Sequence, residues 1–422
     1  MSIDRLSDSG IIKIAGSSPH LDALATLASD LSVRERGSLV ELERRLHDAW
    51  ALGANTILSW SHHPQGICLL VVPHYALAEY TATPAGGDRP WRPSERFITE
   101  LISGPAHLTV SQLSKVARLL DVEPRVIALR DRLPDTEMET RLIEAMVKRY
   151  GVNYVERRAV ALFDIVGFSL LSPFEQMTQL NSLSHSLNAA HSKLLDREIG
   201  VSFARSSSGD GFYIWNRDRG ESPNVNLYHF MQLVLADNAI ARSKAVARSV
   251  PLLRTAFHIG SCYEFHQSDG LNPTTHDYIV GDVTVELARM IERTVPGQIV
   301  VGAFETCDTA PENAADCEAI RFVEHTRRNL TRLEGMELSG ERVTSIKCYL
   351  TGERCADGRF SIRKLLINDK HGLSRFVYNA KVNIHRHQAE PILLGIEDRI
   401  LREDDFSAQT AEMIYIPNEQ HV

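Results

Sequence analysis

Two aspartates carry the chemistry this sequence offers. Asp164 closes the apolar run Ala159-Val160-Ala161-Leu162-Phe163, and Asp210 sits in Ser208-Gly209-Asp210-Gly211 between two runs rich in strand formers. A buried strand that ends on one carboxylate and a hairpin turn that carries another can meet on neighbouring strands. Carboxylates so placed repel, and divalent cations relieve the repulsion. A pair of cations held this way activates a hydroxyl and neutralises phosphoryl oxygens. Each aspartate alone also has a plain structural reading, as a turn cap or a hairpin residue. Gly167 lets the loop after Asp164 bring its backbone close to a ligand. Ser172-Pro173-Phe174-Glu175 then reads as a capping box with proline at the first helical position. Strand, carboxylate, tight loop and helix N-terminus together suit metal-bound phosphate.

The elements that must hold these groups are readable around them. A strand is expected over 157–164, a helix from Pro173 to about Leu195 with its apolar face at Met177, Leu180, Leu183, Leu187 and Ala190, and a hairpin over Val201–Trp215. A helix follows over Leu227–Ala247, a strand over Leu253–Tyr263, a helix over Val283–Arg293 capped by Asp282, and a strand over Gln298–Phe304. Strands at Ile346–Leu350, Phe360–Ile362 and Ala380–Ile384, with a turn at Ile367–Gly372 and a frayed end around Glu403–Asp405, mark the C-terminal part.

The first 150 residues mix signals. Ile11–Ala15 reads as a short strand, Leu39–Leu46 as an amphipathic helix, Gly66–Pro73 as a buried strand, and Thr83–Pro90 as a linker. Leu108–Leu113 and Val126–Leu129 read as two helical patterns around Asp121-Val122-Glu123-Pro124, and Met138–Tyr150 as a further helix, with a boundary at Gly151–Asn153. The two patterns are faintly similar to a helix-turn-helix. The second offers few side chains that read bases, so a plain helical hairpin is expected.

Four ordered motifs give a resemblance. Phe163-Asp164-Ile165-Val166-Gly167-Phe168-Ser169, Gly209-Asp210, Asp277-Tyr278-Ile279-Val280-Gly281 with Leu287-Ala288-Arg289-Met290-Ile291-Glu292, and Gly297-Gln298-Ile299-Val300-Val301 resemble the class III nucleotidyl cyclase domain over about residues 154 to 305. Asp210 follows Asp164 by 46 residues, close to the family's interval. The resemblance implies an α+β fold, an antiparallel sheet flanked by helices at 154–310. An N-terminal α/β region precedes it at 1–150, and a small β-rich C-terminal domain follows at 311–422. It implies that a ribose 3′-hydroxyl attacks the α-phosphate of its own triphosphate. Asp164, Asp210 and the Ile165 carbonyl would hold two divalent cations, Mn²⁺ or Mg²⁺. Phe163, Phe168, Arg205 and Tyr278 would face the substrate, with amides from Val166 to Phe168 cradling phosphates. Arg289 would stabilise charge on the α-phosphate. Because family sites form between two chains, a homodimer is implied.

The base-reading positions depart from the family's purine pattern. Ser206 stands where a lysine is expected, Tyr278 where an acidic or polar residue is expected (unless one inserted residue shifts Asp277 there), and Val285 where an asparagine is expected. Arg254, Arg328 and Arg332 are candidates for the terminal phosphates by composition alone. A tyrosine and an arginine would fill the space left by a pyrimidine, and uracil's two carbonyl acceptors suit an arginine donor. UTP is therefore favoured, with CTP, or a purine in a rebuilt pocket, as alternatives. The C-terminal part looks like the sensor domains of bacterial antiviral operons, and the whole chain resembles the pyrimidine cyclases of the Pycsar antiphage system. That resemblance implies a cyclic nucleotide that activates a separate effector. A non-catalytic nucleotide-binding module remains a different class of reading.

Composition bounds these readings. The 422 residues leave room for two or three domains, and a net charge of −8 argues against a general nucleic-acid binder. Six cysteines form no Cys-x-x-Cys pair, the N-terminus is polar, and no apolar run nears the roughly 20 residues of a membrane helix. A cytoplasmic protein with reduced thiols, not bound to membrane, is expected.

Overall fold

The computed structural model describes residues 32–81, 94–131, 136–268, 275–304, 318–352, 361–368, 374–397, 401 and 413–415. The expected strand at 11–15, linker at 83–90, residues 369–372 of the expected turn and the end at 403–405 lie outside them. The chain divides into two compact units: residues up to Val155 with Tyr263–Ile279, and Glu156–Cys262 with Val280 onward.

The first unit is a three-stranded antiparallel sheet with helices on both faces, an α/β arrangement. Its helices are α1 (Val33–Trp50), α2 (Ala76–Thr81), α3 (Glu95–Ser103), α4 (Val110–Leu120) and α5 (Glu137–Lys148), and its sheet orders β1 (Asn55–His63), β2 (Gly66–Pro73) and β3 (Arg125–Ala128). Leu42, Leu46 and Trp50 of α1 pack with Ile143 and Val147 of α5 and with Trp60. On the other face, Ile98, Ile102, Leu113 and Ala117 pack on Leu58, Leu70 and Val72. The second helix expected at 126–129 is instead strand β3, which pairs Val126 with Cys68 and Ile127 with Ile67. A short β-branched run behind Pro124 suits an edge strand, so no helix-turn-helix forms.

The second unit carries most of a 12-stranded sheet whose main path is β10-β11-β13-β9-β7-β4-β6-β5. The strands are β4 (Val152–Ile165), β5 (Phe203–Ser207), β6 (Gly211–Asn216), β7 (Leu253–Ser268), β8 (Thr275–Val280), β9 (Ile299–Gly302), β10 (Glu337–Leu338), β11 (Glu341–Leu350), β12 (Ser361–Asn368), β13 (Ser374–Arg386), β14 (Ile392–Leu394) and β15 (Met413–Tyr415). Its helices are α6 (Pro173–Leu195), α7 (Glu221–Lys244), α8 (Asp282–Arg293) and α9 (Glu318–Asn329). The α+β class is as expected. Ile367 and Asn368 of the expected turn are the end of β12.

One face of this sheet is a shared core. Ala159, Ala161 and Phe163 of β4, Ile214 of β6 and Phe257 of β7 meet Leu183, Leu187 and Ala190 of α6 and the buried side of α7. Nearly every side chain of α7 from Asn224 to Ala236 is buried, which is the pattern of a helix covered all round. Met177, expected in this core, is 55% exposed. The C-terminal strands are not a separate layer. Antiparallel pairing of β13 with β9, Tyr378 opposite Val301, continues the sheet, so the boundary expected at 310/311 is no break in it. The boundary expected at 151–153 lies at the start of β4, which begins at Val152, and the first unit's N-terminal stretch ends at Val155. No helix among the described residues is long and apolar enough to cross a membrane.

Candidate active site

Asp164 and Asp210 are brought together by the β4–β6 ladder. The register pairs Leu162 with Tyr213, Phe163 with Phe212 and Asp164 with Gly211. Beyond the last pair, the Ile165 N–H donates to the Asp210 carbonyl at 3.0 Å, so the chains bearing the two carboxylates are bonded to each other. Gly211 permits this approach: a Cβ there would lie 1.8 Å from the Phe163 carbonyl oxygen. The turn is closed by Ser208 N–H to Gly211 O at 3.1 Å and Gly209 N–H to Ser207 Oγ at 3.1 Å.

Burial and charge single out Asp164. It is 4% exposed. Burial pushes its carboxyl above the usual range; the Arg254 guanidinium pulls it down, and Asp210 pushes it up again by repulsion and by sharing a proton. Arg254 Nε lies 2.5 Å from Asp164 Oδ2, and its Nη1 reaches the Thr294 carbonyl at 3.5 Å. The cation on the aspartate is therefore Arg254 from β7, which the sequence offered only as a candidate by composition. Its signal was there: a lone charge inside the apolar start of a buried strand, Pro251-Leu252-Leu253-Arg254.

The loop after Asp164 turns at Gly167, with φ +69°, into a 3₁₀ turn at Phe168–Leu170, and α6 starts behind it. The Ser172–Glu175 capping box is present, with Ser172 N–H donating to Glu175 Oε2 at 2.9 Å and Glu175 N–H to Ser172 Oγ at 3.4 Å. One expected phosphate donor is already engaged, since the Val166 N–H donates to the Leu252 carbonyl at 2.9 Å.

Strand alternation sorts the other expected site residues by face. Phe163 is fully buried in the helix-covered core, on the opposite face from Asp164, so its side chain is core and not a substrate contact. Arg205 is also on that side. Its guanidinium lies over the Phe212 ring at 5.5 Å and donates to Ser184 Oγ of α6 at 2.7 Å. The register explains this, because Arg205 opposes Ile214, a core residue. The residues on the Asp164 face are its neighbours Ser206 and Tyr213, which oppose each other across β5 and β6. Tyr213 was not singled out by sequence. Burial first, then the charges of Asp210 and Asp164, raise its phenol above the ordinary value.

Arg289 lies on α8, 3.9 Å from Glu286. Glu286 is gripped by Arg375 of β13, with contacts of 2.5 and 3.1 Å. Asp282 is the first residue of α8 and not its cap; it accepts from Ser261 Oγ at 2.6 Å, while Thr284 Oγ1 accepts from the Gly281 N–H at 3.2 Å. Arg332 lies in the turn after α9, its charge felt by His229 of α7 on the helix-covered side. Phe168 packs partly against the core. Tyr278 falls in the first unit, stacked on Phe265 with centroids 5.5 Å apart, and Asp277 beside it lies 2.8 Å from His266 Nδ1.

Two carboxylates and a neighbouring main-chain carbonyl form an all-oxygen donor set, which suits hard cations such as Mg²⁺ or Mn²⁺. The buried Asp164 carboxylate already draws a cationic group, so the residues fit such an ion. Among the described residues no group of three or more histidines, cysteines or acids converges.

No protein-family model and no curated protein matches the chain. Among solved structures, the chain is similar to the guanylate cyclase domain of RhGC from Catenaria anguillulae in complex with GTP, at 13% identity over 56% of this chain and 100% of that one, TM-score 0.34. The adenylyl cyclase CyaB from P. aeruginosa is similar at 11% identity over 57% and 97%, TM-score 0.32. A guanylyl cyclase domain of the RhoGC fusion protein from Blastocladiella emersonii, described as a non-canonical dimer, gives 12% over 54% and 97%, TM-score 0.33. Likenesses this slight say nothing about chemistry, which the side chains must carry.

Proposed function

We propose that this protein is a divalent-metal-dependent nucleotidyl cyclase that converts a pyrimidine nucleoside triphosphate, UTP in first place, to its 3′,5′-cyclic monophosphate and pyrophosphate. The observation that carries the reading is the buried Asp164 carboxylate bonded through its strand to the Asp210 turn, with Arg254 seated on it. Asp164, Asp210 and the Ile165 carbonyl would hold the cations, which when bound supply acidification of the ribose 3′-hydroxyl and neutralisation of the triphosphate. The 3′-oxygen bonds to the α-phosphorus as the bond to pyrophosphate breaks, and the hydroxyl proton leaves to solvent. Arg254, freed from Asp164 were that carboxylate to hold a cation, would bind the departing phosphates. Arg289 of a second copy stabilises charge on the α-phosphate, which makes the active form a homodimer.

The pyrimidine preference rests on Ser206, which leaves the Asp164 face without the long cation that the resemblance pairs with purines. Arg205 no longer supports it. CTP is the second reading. By the same resemblance, the product serves as a second messenger in antiphage defence and acts on a separate effector. The test is incubation of the purified full chain with equal ATP, GTP, CTP and UTP and Mn²⁺, with products separated by mass. Cyclic UMP as the main product supports the proposal; product from a purine alone overturns the base assignment, and no cyclic product overturns the enzyme.

A further inference from the structure

Four residues on one face of the second unit's sheet stand on four successive strands: Arg254 on β7, Asp164 on β4, Tyr213 on β6 and Ser206 on β5. Arg254 and Asp164 are joined by their ion pair, Tyr213 is in the register of Leu162, two places along from Asp164, and Ser206 opposes Tyr213 directly. Three strand spacings of about 4.8 Å make this row roughly 14 Å across. It changes character along its length, from a guanidinium through a carboxylate pair to two hydroxyls. Neither hydroxyl makes a hydrogen bond to another described residue, although the phenol is half-buried and lies within electrostatic reach of both aspartates.

Resting on the cyclase reading above, we infer that Tyr213 is a specificity-determining residue whose hydroxyl donates a hydrogen bond to a carbonyl oxygen of the nucleobase, with Ser206 beside it on the same base edge. The polarity of the row fixes the direction of the ligand. Phosphates belong at the Arg254 end, the reacting ribose at the carboxylates, and the base must then extend over β6 and β5. A donor there favours bases with ring carbonyls over adenine, whose acceptors are ring nitrogens only. Uracil has two, cytosine and guanine one each, and adenine none. Ser206 is short beside a long lysine, which leaves space for the base and puts its edge against the Tyr213 phenol. Arg205, the nearest alternative donor, is turned to the other face and held by Ser184. The bond is neutral and the phenol otherwise unpartnered, so its loss is felt in binding and in the choice between bases, not in folding.

The experiment compares the wild-type chain with Tyr213→Phe. Steady-state kinetics are measured on each of the four nucleoside triphosphates with Mn²⁺. Calorimetric binding of 2′,3′-dideoxyuridine triphosphate, which has no 3′-hydroxyl, gives a readout independent of turnover. The expected result is a KM for UTP raised about 5- to 100-fold with kcat within about threefold, weaker dideoxy-UTP binding by the same factor, and ATP kinetics unchanged. Ser206→Ala is expected to act in the same direction and more weakly, and it decides the matter should Tyr213→Phe fail to fold. An active wild type whose base ratios are untouched by both substitutions overturns this inference and leaves the cyclase reading standing. A wild type that binds and converts none of the four nucleotides removes the reading beneath it, and the inference with it.

Discussion

Arg254 Nε stands 2.5 Å from Asp164 Oδ2, so a guanidinium from β7 occupies the approach to a carboxylate that is 4% exposed. A metal ion bound as proposed would compete with this arginine for the same oxygens. Nucleotide phosphates offer Arg254 somewhere else to go, so metal and nucleotide should bind better together than apart. Arg254→Ala is expected to bind Mn²⁺ alone more tightly than wild type, with a larger Mn²⁺-induced rise in Tm, while losing nucleotide affinity at least tenfold. A smaller Mn²⁺ shift in the variant would contradict the exchange. Without metal the variant should lose about 1–3 kcal/mol, because a buried carboxylate is left without its partner.

Asp164→Asn and Asp210→Asn should each lower cyclic nucleotide formation at least about 1,000-fold while shifting Tm by only a few degrees. Both substitutions keep side-chain size. Undiminished turnover in either variant, measured with Mn²⁺, would remove the carboxylate pair from the mechanism.

The raised carboxyl of Asp164 sets a pH dependence with a definite sign. The folded state holds this proton more tightly than the unfolded chain. Its contribution is therefore greatest below the ordinary carboxylate range and is lost as pH rises through the folded value. A bound cation stabilises the ionised form, so Mn²⁺ should raise Tm more at pH 7.5 than at pH 4.5. Equal shifts at both values would show that the ion sits elsewhere.

His229 of α7 works in the opposite sense. It is fully buried, and burial depresses its imidazole to about 4; the Thr326 carbonyl, 3.3 Å from Nε2, resists that shift. The unfolded chain then binds the proton first, so stability is complete above about pH 6.5 and falls as pH drops toward 4. The loss amounts to roughly 3 kcal/mol for this one residue. His229→Gln should flatten the acid limb of a denaturation profile between those values.

Gly211→Ala should be among the most damaging single-methyl changes in the chain. The added Cβ meets the Phe163 carbonyl oxygen, which belongs to main chain and has nowhere to move. A cost of about 3 kcal/mol or more is expected, with activity lost as the hairpin lifts away from β4. Gly209→Ala meets no atom within 4 Å of its added carbon, although its φ of +99° carries some strain, so it serves as the milder control.

Much of the candidate site was legible because glycine, aspartate and alternation are local signals. The strand over 157–164, the capping box at Ser172 and the hairpin around Asp210 follow from residues within a few places of each other. Faces were not legible. Arg205 and Ser206 are adjacent, and a one-residue choice of register exchanges the core for the site. Phe163 and Asp164 are separated by the same rule. The misread helix at 126–129 is a short apolar run, where length alone cannot tell helix from strand, and pairing with β2 decides. The continuation of the sheet past 310 was not legible for a non-local reason: nothing near residue 310 announces that Tyr378 will lie opposite Val301.

That pairing has a consequence for any attempt to shorten the protein. A chain cut at 310 would strip β13 from β9 and leave Ile299–Gly302, four buried residues, as a bare and adhesive margin. Such an edge invites other chains to add to it. A fragment drawn from motif positions alone would therefore bare this margin, which in the longer chain β13 covers like a hem.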